Sequence, residues 1–258
     1  MLDGLNIGTI IMQVIRVLWG NSVNDEIPKF PLLNNEVVYV WGDDNNQMLL
    51  DRGYKTRLLN TSIFEDRYNH FGKKLFALNE ALKEFGEVLL LDWDCYMLKP
   101  LDEYFYNSLK EKPIQIPLYI QHKDTKDAIL EILPPNQSIE LQKELDILGD
   151  GFKKYGWEWE DGFVAPNFGF VYCRDVKLGA KLLKIAQREN LQTVVDEFAT
   201  LLYVNCSLDE YIKKYLPSVV RGSSNDKFIL DKRLHILCKK FNDYVDTQIE
   251  LKPYFEHV

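Results

Sequence analysis

Asp92 and Asp94 are the residues of this chain whose types and spacing best suit chemistry. They follow Val88-Leu89-Leu90-Leu91, an unbroken apolar run that reads as a strand buried on both faces. In an extended chain residues i and i+2 share a face, so the two carboxylates are expected to converge while Trp93 faces away. Two hard oxygen ligands at the carboxyl edge of a buried strand suit a divalent cation, and open α/β sheets bind ligands at that edge. The plainer alternative is a strand end whose acidic residues face solvent.

Such a pair needs a scaffold, and the chain ahead of it alternates strand and helix. Residues 10–18 read as an apolar strand stopped by Trp19-Gly20-Asn21. Residues 36–41 form a second, stopped by Gly42-Asp43-Asp44, and residues 55–59 a third. Residues 46–52 suggest a short helix closed by Gly53. Phe71, Leu75, Leu78, Leu82 and Phe85 make one stripe of a longer helix, with Gly86 as its stop. The alternation predicts an α/β fold with a mostly parallel, Rossmann-type central sheet, flanking helices and right-handed crossovers.

After Lys99-Pro100-Leu101 the pattern becomes irregular. Pro113, Pro117, Pro134 and Pro135 punctuate it, and residues 149–166 form a polar, aromatic loop. Residues 168–172 read as a strand, followed by a helix from near Asp175 and another over roughly 192–204. We expect a single domain over residues 1–258, with a regular part at 1–105 and an irregular part at 106–258.

Composition narrows the function classes. At 258 residues and 46% hydrophobic, the chain can bury a substantial core. Its net charge of −8 offers no footprint for nucleic acid or an anionic membrane, so an anionic substrate would need a metal or local Lys and Arg. Cys95, Cys173, Cys206 and Cys238 are widely spaced with no CxxC pair, which favours a reducing setting. No apolar run suits a membrane span, and the N-terminus lacks a signal-peptide pattern; a cytoplasmic protein is expected.

The stretch KKLFALNEALKEFGEVLLLDWDCYMLKPLDEYF resembles the core of nucleotide-sugar-dependent glycosyltransferases of the GT-A fold, of the glycogenin and lipopolysaccharide galactosyltransferase type. The shared elements are an apolar strand ending in Asp-x-Asp and the Lys-Pro-Leu-Asp-x-x-Phe continuation. PNFGFVYC resembles that family's Asn-x-Gly strand, VVDEFATLLY its acidic helix start, and LHILCKKF its C-terminal histidine segment. That last segment in the family carries a glycine before its lysine, where this chain has Leu237-Cys238.

The resemblance implies a GT-A-like domain whose residues 1–105 bind the nucleotide-sugar donor and whose residues 106–258 bind a saccharide or other hydroxyl acceptor. It implies a metal-dependent and retaining transfer. Asp92, Asp94 and His235 would hold Mn²⁺ or Mg²⁺, the nitrogen ligand favouring Mn²⁺. Lys73 or Lys74, and Lys239 or Lys240, would contact phosphate as point charges. Asn167 and Gly169 would face the sugar, and Asp196 and Glu197 would lie near its anomeric carbon as catalytic candidates. Trp159 and Asp161 offer an acceptor platform, and Trp19, Asn21 and Trp93 complete the substrate-binding set.

Each assignment has a structural alternative. His235 sits in an apolar run and suits a core, Gly169 suits a bulge, and Trp157 and Trp159 suit loop anchors. Asp196 and Glu197 suit a helix start, where the macrodipole favours acids. At the level of function, a haloacid-dehalogenase-like phosphatase also ends a strand in Asp-x-Asp and uses Mg²⁺. It normally carries the motif near the chain start, with Thr or Val where Tyr96 stands. A glycosidase also uses paired carboxylates, but these usually come from different elements, and a non-catalytic carbohydrate-binding relative of the fold is a further alternative.

Overall fold

The computed structural model describes residues 12–20, 33, 35–65, 70–93, 95–116, 118–121, 135, 139, 142–143, 146, 163–166, 168–191, 195–206, 220–221, 228–229, 238–240 and 254–257. Its first half follows the expected alternation. Strand β1 (Gln13–Leu18) leads to β2 (Glu36–Val40), helix α1 (Asp43–Asp51), β3 (Lys55–Leu58), helix α2 (Gly72–Phe85) and β4 (Val88–Leu91). Gly53 and Gly86 follow the two helices with φ of 85° and 74°. A side chain disfavours that left-handed region, so glycine makes each stop sharp.

Beyond β4 the elements shorten. Strand β5 (Cys95–Met97) precedes helix α3 (Glu103–Lys110), β6 (Ile114–Gln115) and β7 (Leu118–Gln121). Then come β8 (Phe163–Pro166), β9 (Phe170–Cys173), α4 (Leu178–Glu189) and α5 (Val195–Cys206). The last strands are β10 (Val220–Arg221), β11 (Phe228–Ile229), β12 (Cys238–Lys240) and β13 (Phe255–His257).

The molecule is mixed α/β around a six-stranded sheet ordered β3-β2-β1-β4-β9-β6. The first four run parallel, and β9 lies antiparallel to both β4 and β6. All four residues of β4 are completely buried because both faces are covered. Val88 and Leu90 meet the core shared with α2, α4 and α5, while Leu89 and Leu91 meet Phe105 of α3 and Phe255 of β13. Complete burial of each leucine contributes about 1.5–3 kcal/mol, which makes this strand the centre of the fold.

Two details depart from the expected picture. The strand stops at Leu91, and the Cys95 N–H donates to the Asp92 carbonyl at 3.1 Å, so the chain turns after Asp92 instead of continuing extended. A turn does not place residues i and i+2 on one face as an extended strand does. The second is the helix expected near Asp175, which begins at Leu178. The Asp175 carboxylate first accepts the Lys177 N–H at 3.0 Å, a local turn that delays the helix. No described helix is long and apolar enough to cross a membrane.

Candidate functional site

The carboxyl edge of β4 is where elements distant in sequence meet. Asp92 is the first residue past the strand, and its N–H donates to the Gly169 carbonyl at 2.8 Å, tying it to the turn before β9. Helix α2 begins against this edge, and its first turn carries Lys73 and Lys74, both buried. Cations at a helix N-terminus work against the macrodipole, so such a pair needs compensation. The two lysines find it in different places. Lys73 pairs with Glu65 at 3.2 Å and lies 5.6 Å from the Trp41 ring centroid, away from Asp92.

Lys74 turns inward. Its Nζ donates to Asp92 Oδ2 at 2.7 Å and lies 3.4 Å from Asp196 Oδ2. Asp196 comes from the first turn of α5, where an acid suits the positive end of the helix. Two helix N-termini and one strand end thus bring a carboxylate, an ammonium and a second carboxylate into a row. Burial alone would discharge Lys74, but Asp92 and Asp196 outweigh it and hold the ammonium protonated above its ordinary range.

Asp196 is only 1% exposed, and burial pushes its carboxyl up to about 7, against the opposing pull of Lys74. Its Oδ1 has no hydrogen-bond partner among the described residues. A buried acceptor left unsatisfied costs free energy, so the site is chemically prepared for a donor group such as a hydroxyl, or for a cation. Glu197 is half-buried and accepts the Phe168 N–H at 3.5 Å, closing the floor between α5 and the turn before β9.

The aromatic residues divide between two sides. Trp19, at the end of β1, lies 6.0 Å from Phe71, whose ring sits 5.5 Å from Lys74 Nζ. Phe71 thus stands between Trp19 and the row of charges. Trp93 donates its indole N–H to the Val17 carbonyl at 2.8 Å and its ring meets Tyr54 at 6.1 Å, packed against the small core under α1. Of the sequence-derived candidates, Asp92, Lys74, Asp196, Glu197 and Gly169 are thus brought together, with Trp19 one ring further out. Asn21, Asp94, Trp159, Asp161, Asn167 and His235 lie outside the described residues.

Lys239 falls in β12, which runs parallel to β13, itself antiparallel to β5. That pairing carries the backbone of residues 238–240 to the sheet containing Cys95, three residues past Asp92. Sequence reasoning missed Arg16, a buried cation of β1 whose guanidinium touches the same turn. Its signal was a charge inside a mostly apolar strand, which burial obliges to find a partner.

Asp92 offers the hard oxygen chemistry a divalent cation needs, and the partnerless Asp196 oxygen leaves acceptor capacity nearby. The described residues hold no group of three or more His, Cys, Asp or Glu arranged for a metal ion.

No family model matches the chain, and no curated protein does. Among solved structures, the apo form of mouse xyloside xylosyltransferase 1 is similar over 96% of this chain and 97% of that one, with 10% identity and a TM-score of 0.46. HddC from Yersinia pseudotuberculosis is similar over 43% of this chain and 60% of that one, with 15% identity and a TM-score of 0.27. At these values neither likeness carries weight in assigning a family.

Proposed function

We propose that this chain is a metal-dependent glycosyltransferase that moves a sugar, with retention, from a nucleoside diphosphate sugar to a saccharide or other hydroxyl acceptor. The observation that carries the reading is the row Asp92–Lys74–Asp196 at the carboxyl edge of a largely parallel sheet, with Lys74 and Asp196 buried and one Asp196 oxygen unsatisfied among the described residues. Carboxyl edges of such sheets are where ligands bind. An ammonium held between carboxylates, beside an acceptor with spare capacity, suits a ligand that is anionic at one end and hydroxylated at the other.

In this reading Asp92 and Asp94 hold Mn²⁺ or Mg²⁺, with His235 as the third ligand. The cation would act as a Lewis acid that stabilises the departing diphosphate. Lys74 supplies a second positive charge to that leaving group, and Lys239 a third. Asp196 accepts a sugar hydroxyl through its partnerless oxygen, and Glu197 stands beside it near the anomeric carbon. Trp19, Asn21, Asn167 and Gly169 border the donor, and Trp159 and Asp161 border the acceptor. Trp93, partly buried against the small core under α1, borders the donor beside Asp92.

A thermal-shift screen of nucleotide sugars with and without Mn²⁺ tests the proposal, because a ligand that binds only the native state raises its melting temperature. One nucleotide sugar should stabilise the protein in a Mn²⁺-dependent way and be turned over to nucleoside diphosphate. Asp92→Asn should abolish turnover and lower stability by about 1–3 kcal/mol, because Lys74 stays buried with one carboxylate fewer. Undiminished turnover in chelator would overturn the metal reading. A phosphoenzyme trapped at Asp92 would favour the phosphatase alternative instead.

A further inference from the structure

Strand β1 is buried throughout, yet it contains Arg16, itself only 5% exposed between Ile15 and Val17. A guanidinium in that position must be paired. Glu36, the first residue of the neighbouring strand and equally buried, provides the counter-charge with Arg16 Nε to Glu36 Oε1 at 2.9 Å. Glu36 is itself oriented by the Leu33 N–H at 3.4 Å. An isolated ion pair of this kind contributes little stability, since apolar residues of similar volume serve as well. Where the remaining donors of the guanidinium go is therefore informative.

Two of them, one from each terminal nitrogen, go to a single turn. Arg16 Nη1 donates to the Asp92 carbonyl, and Nη2 donates to the Cys95 carbonyl at 3.4 Å. The Asp92 carbonyl also accepts the Cys95 N–H, so the guanidinium grips both ends of the turn that ends β4. Trp93, inside that turn, lies 5.4 Å from the Arg16 carbon and ties its indole to Val17 of the same strand. A planar fork of donors can span two carbonyls in this way, whereas the point charge of a lysine cannot.

We propose that Arg16 is a positioning residue: anchored by Glu36, it holds the Asp92–Cys95 turn from behind and thereby fixes where the Asp92 carboxylate stands in the site. The proposal deepens the functional reading above and rests on it only for the identity of the ligand. It makes β1 the reference against which the site is set, with the side chain of Arg16 reaching the turn that the β1–β4 backbone pairing stops short of.

Two variants test it. Arg16→Met combined with Glu36→Leu removes the fork without stranding a buried charge, so the protein is expected to fold. Arg16→Lys keeps the charge but not the fork. Two readouts are needed in each protein: amide hydrogen exchange at Cys95 and Leu59, and binding of Mn²⁺ alone followed by electron paramagnetic resonance. In the double variant, Cys95 exchange should accelerate at least about tenfold while Leu59, bonded to Val40 in the β2–β3 region, stays protected. Mn²⁺ affinity should fall by roughly 10–100-fold, the scale seen when support behind a metal ligand is removed. Arg16→Lys should lie between the two.

Unchanged exchange at Cys95, or an equal rise at Leu59, would overturn the proposal. So would faster Cys95 exchange with unaltered Mn²⁺ affinity, which would leave Arg16 a strut with no bearing on the site. A wild type that binds no Mn²⁺ defeats the metal reading instead. The exchange data then decide alone whether Arg16 holds the turn.

Discussion

Asp196 illustrates how one residue can be read two ways until its surroundings are known. As the second residue of α5 it needs no function, because acids at helix starts are favoured. Complete burial beside Lys74, and an oxygen without a partner among the described residues, change that assessment. Its carboxyl is pushed up to about 7, so the native state keeps this proton over a range where the unfolded chain, near pH 3.9, has lost it. The stability linked to that proton is fully present below about pH 4 and lost as pH rises through about 7. Asp196→Asn cannot titrate. Its stability relative to wild type should therefore improve between pH 5 and pH 8, by at least about 1 kcal/mol, in parallel denaturant melts. A difference independent of pH would show that Asp196 is ionised throughout.

Among the elements, α2 and α4 bear on the site, because α2 carries Lys74 and packs against α4. The two helices meet at Gly179, where an added Cβ would stand 2.5 Å from the Asn79 Cα. That neighbour is backbone and cannot swing aside. Alanine is the better helix former by about 1 kcal/mol, so an open site would gain stability from the change. Here the clash should win. Gly179→Ala is expected to destabilise by about 1–3 kcal/mol and to lower the melting temperature by roughly 2–10 °C in a calorimetric scan. A neutral or stabilising result would mean that the helices part without cost.

For the molecule as a whole, closure depends on residues near its far end. Strand β13 joins β5 to β12, and Tyr254 and Phe255 are almost wholly buried. The Leu98 N–H donates to the Tyr254 carbonyl at 2.7 Å, and the Tyr254 hydroxyl donates to Asp102 at 2.6 Å, where Asp102 also caps α3 through the Phe105 N–H. Phe255 stacks within 5.7 Å of Phe105 and 5.8 Å of Phe170. Phe255→Ala should cost about 3–5 kcal/mol in denaturant unfolding. It should also loosen β5 and with it the turn after Asp92. Wild-type stability in that variant would show that β13 is peripheral to the fold.

The sequence by itself determined the parts of this protein that local pattern controls. The helical stripe from Phe71 to Phe85, the glycine stops at Gly53 and Gly86, and the buried run before Asp92 all follow from periodicity and backbone freedom over a few residues. They stand close to where they were expected. The choice of Asp92, Lys74 and Asp196 as residues able to do chemistry was also legible, from residue type and position along the elements. Only the tertiary structure decided how they are arranged. It paired Lys74 with carboxylates, sent Lys73 to Glu65, packed Trp93 against the core under α1, bent the chain after Asp92 and brought β13 beside β5. The physical reason is the same in each case. A buried charge or a strand edge is satisfied by whatever group the fold brings within reach, and contacts such as Arg16 with Asp92 or Tyr254 with Asp102 join positions that no local periodicity links.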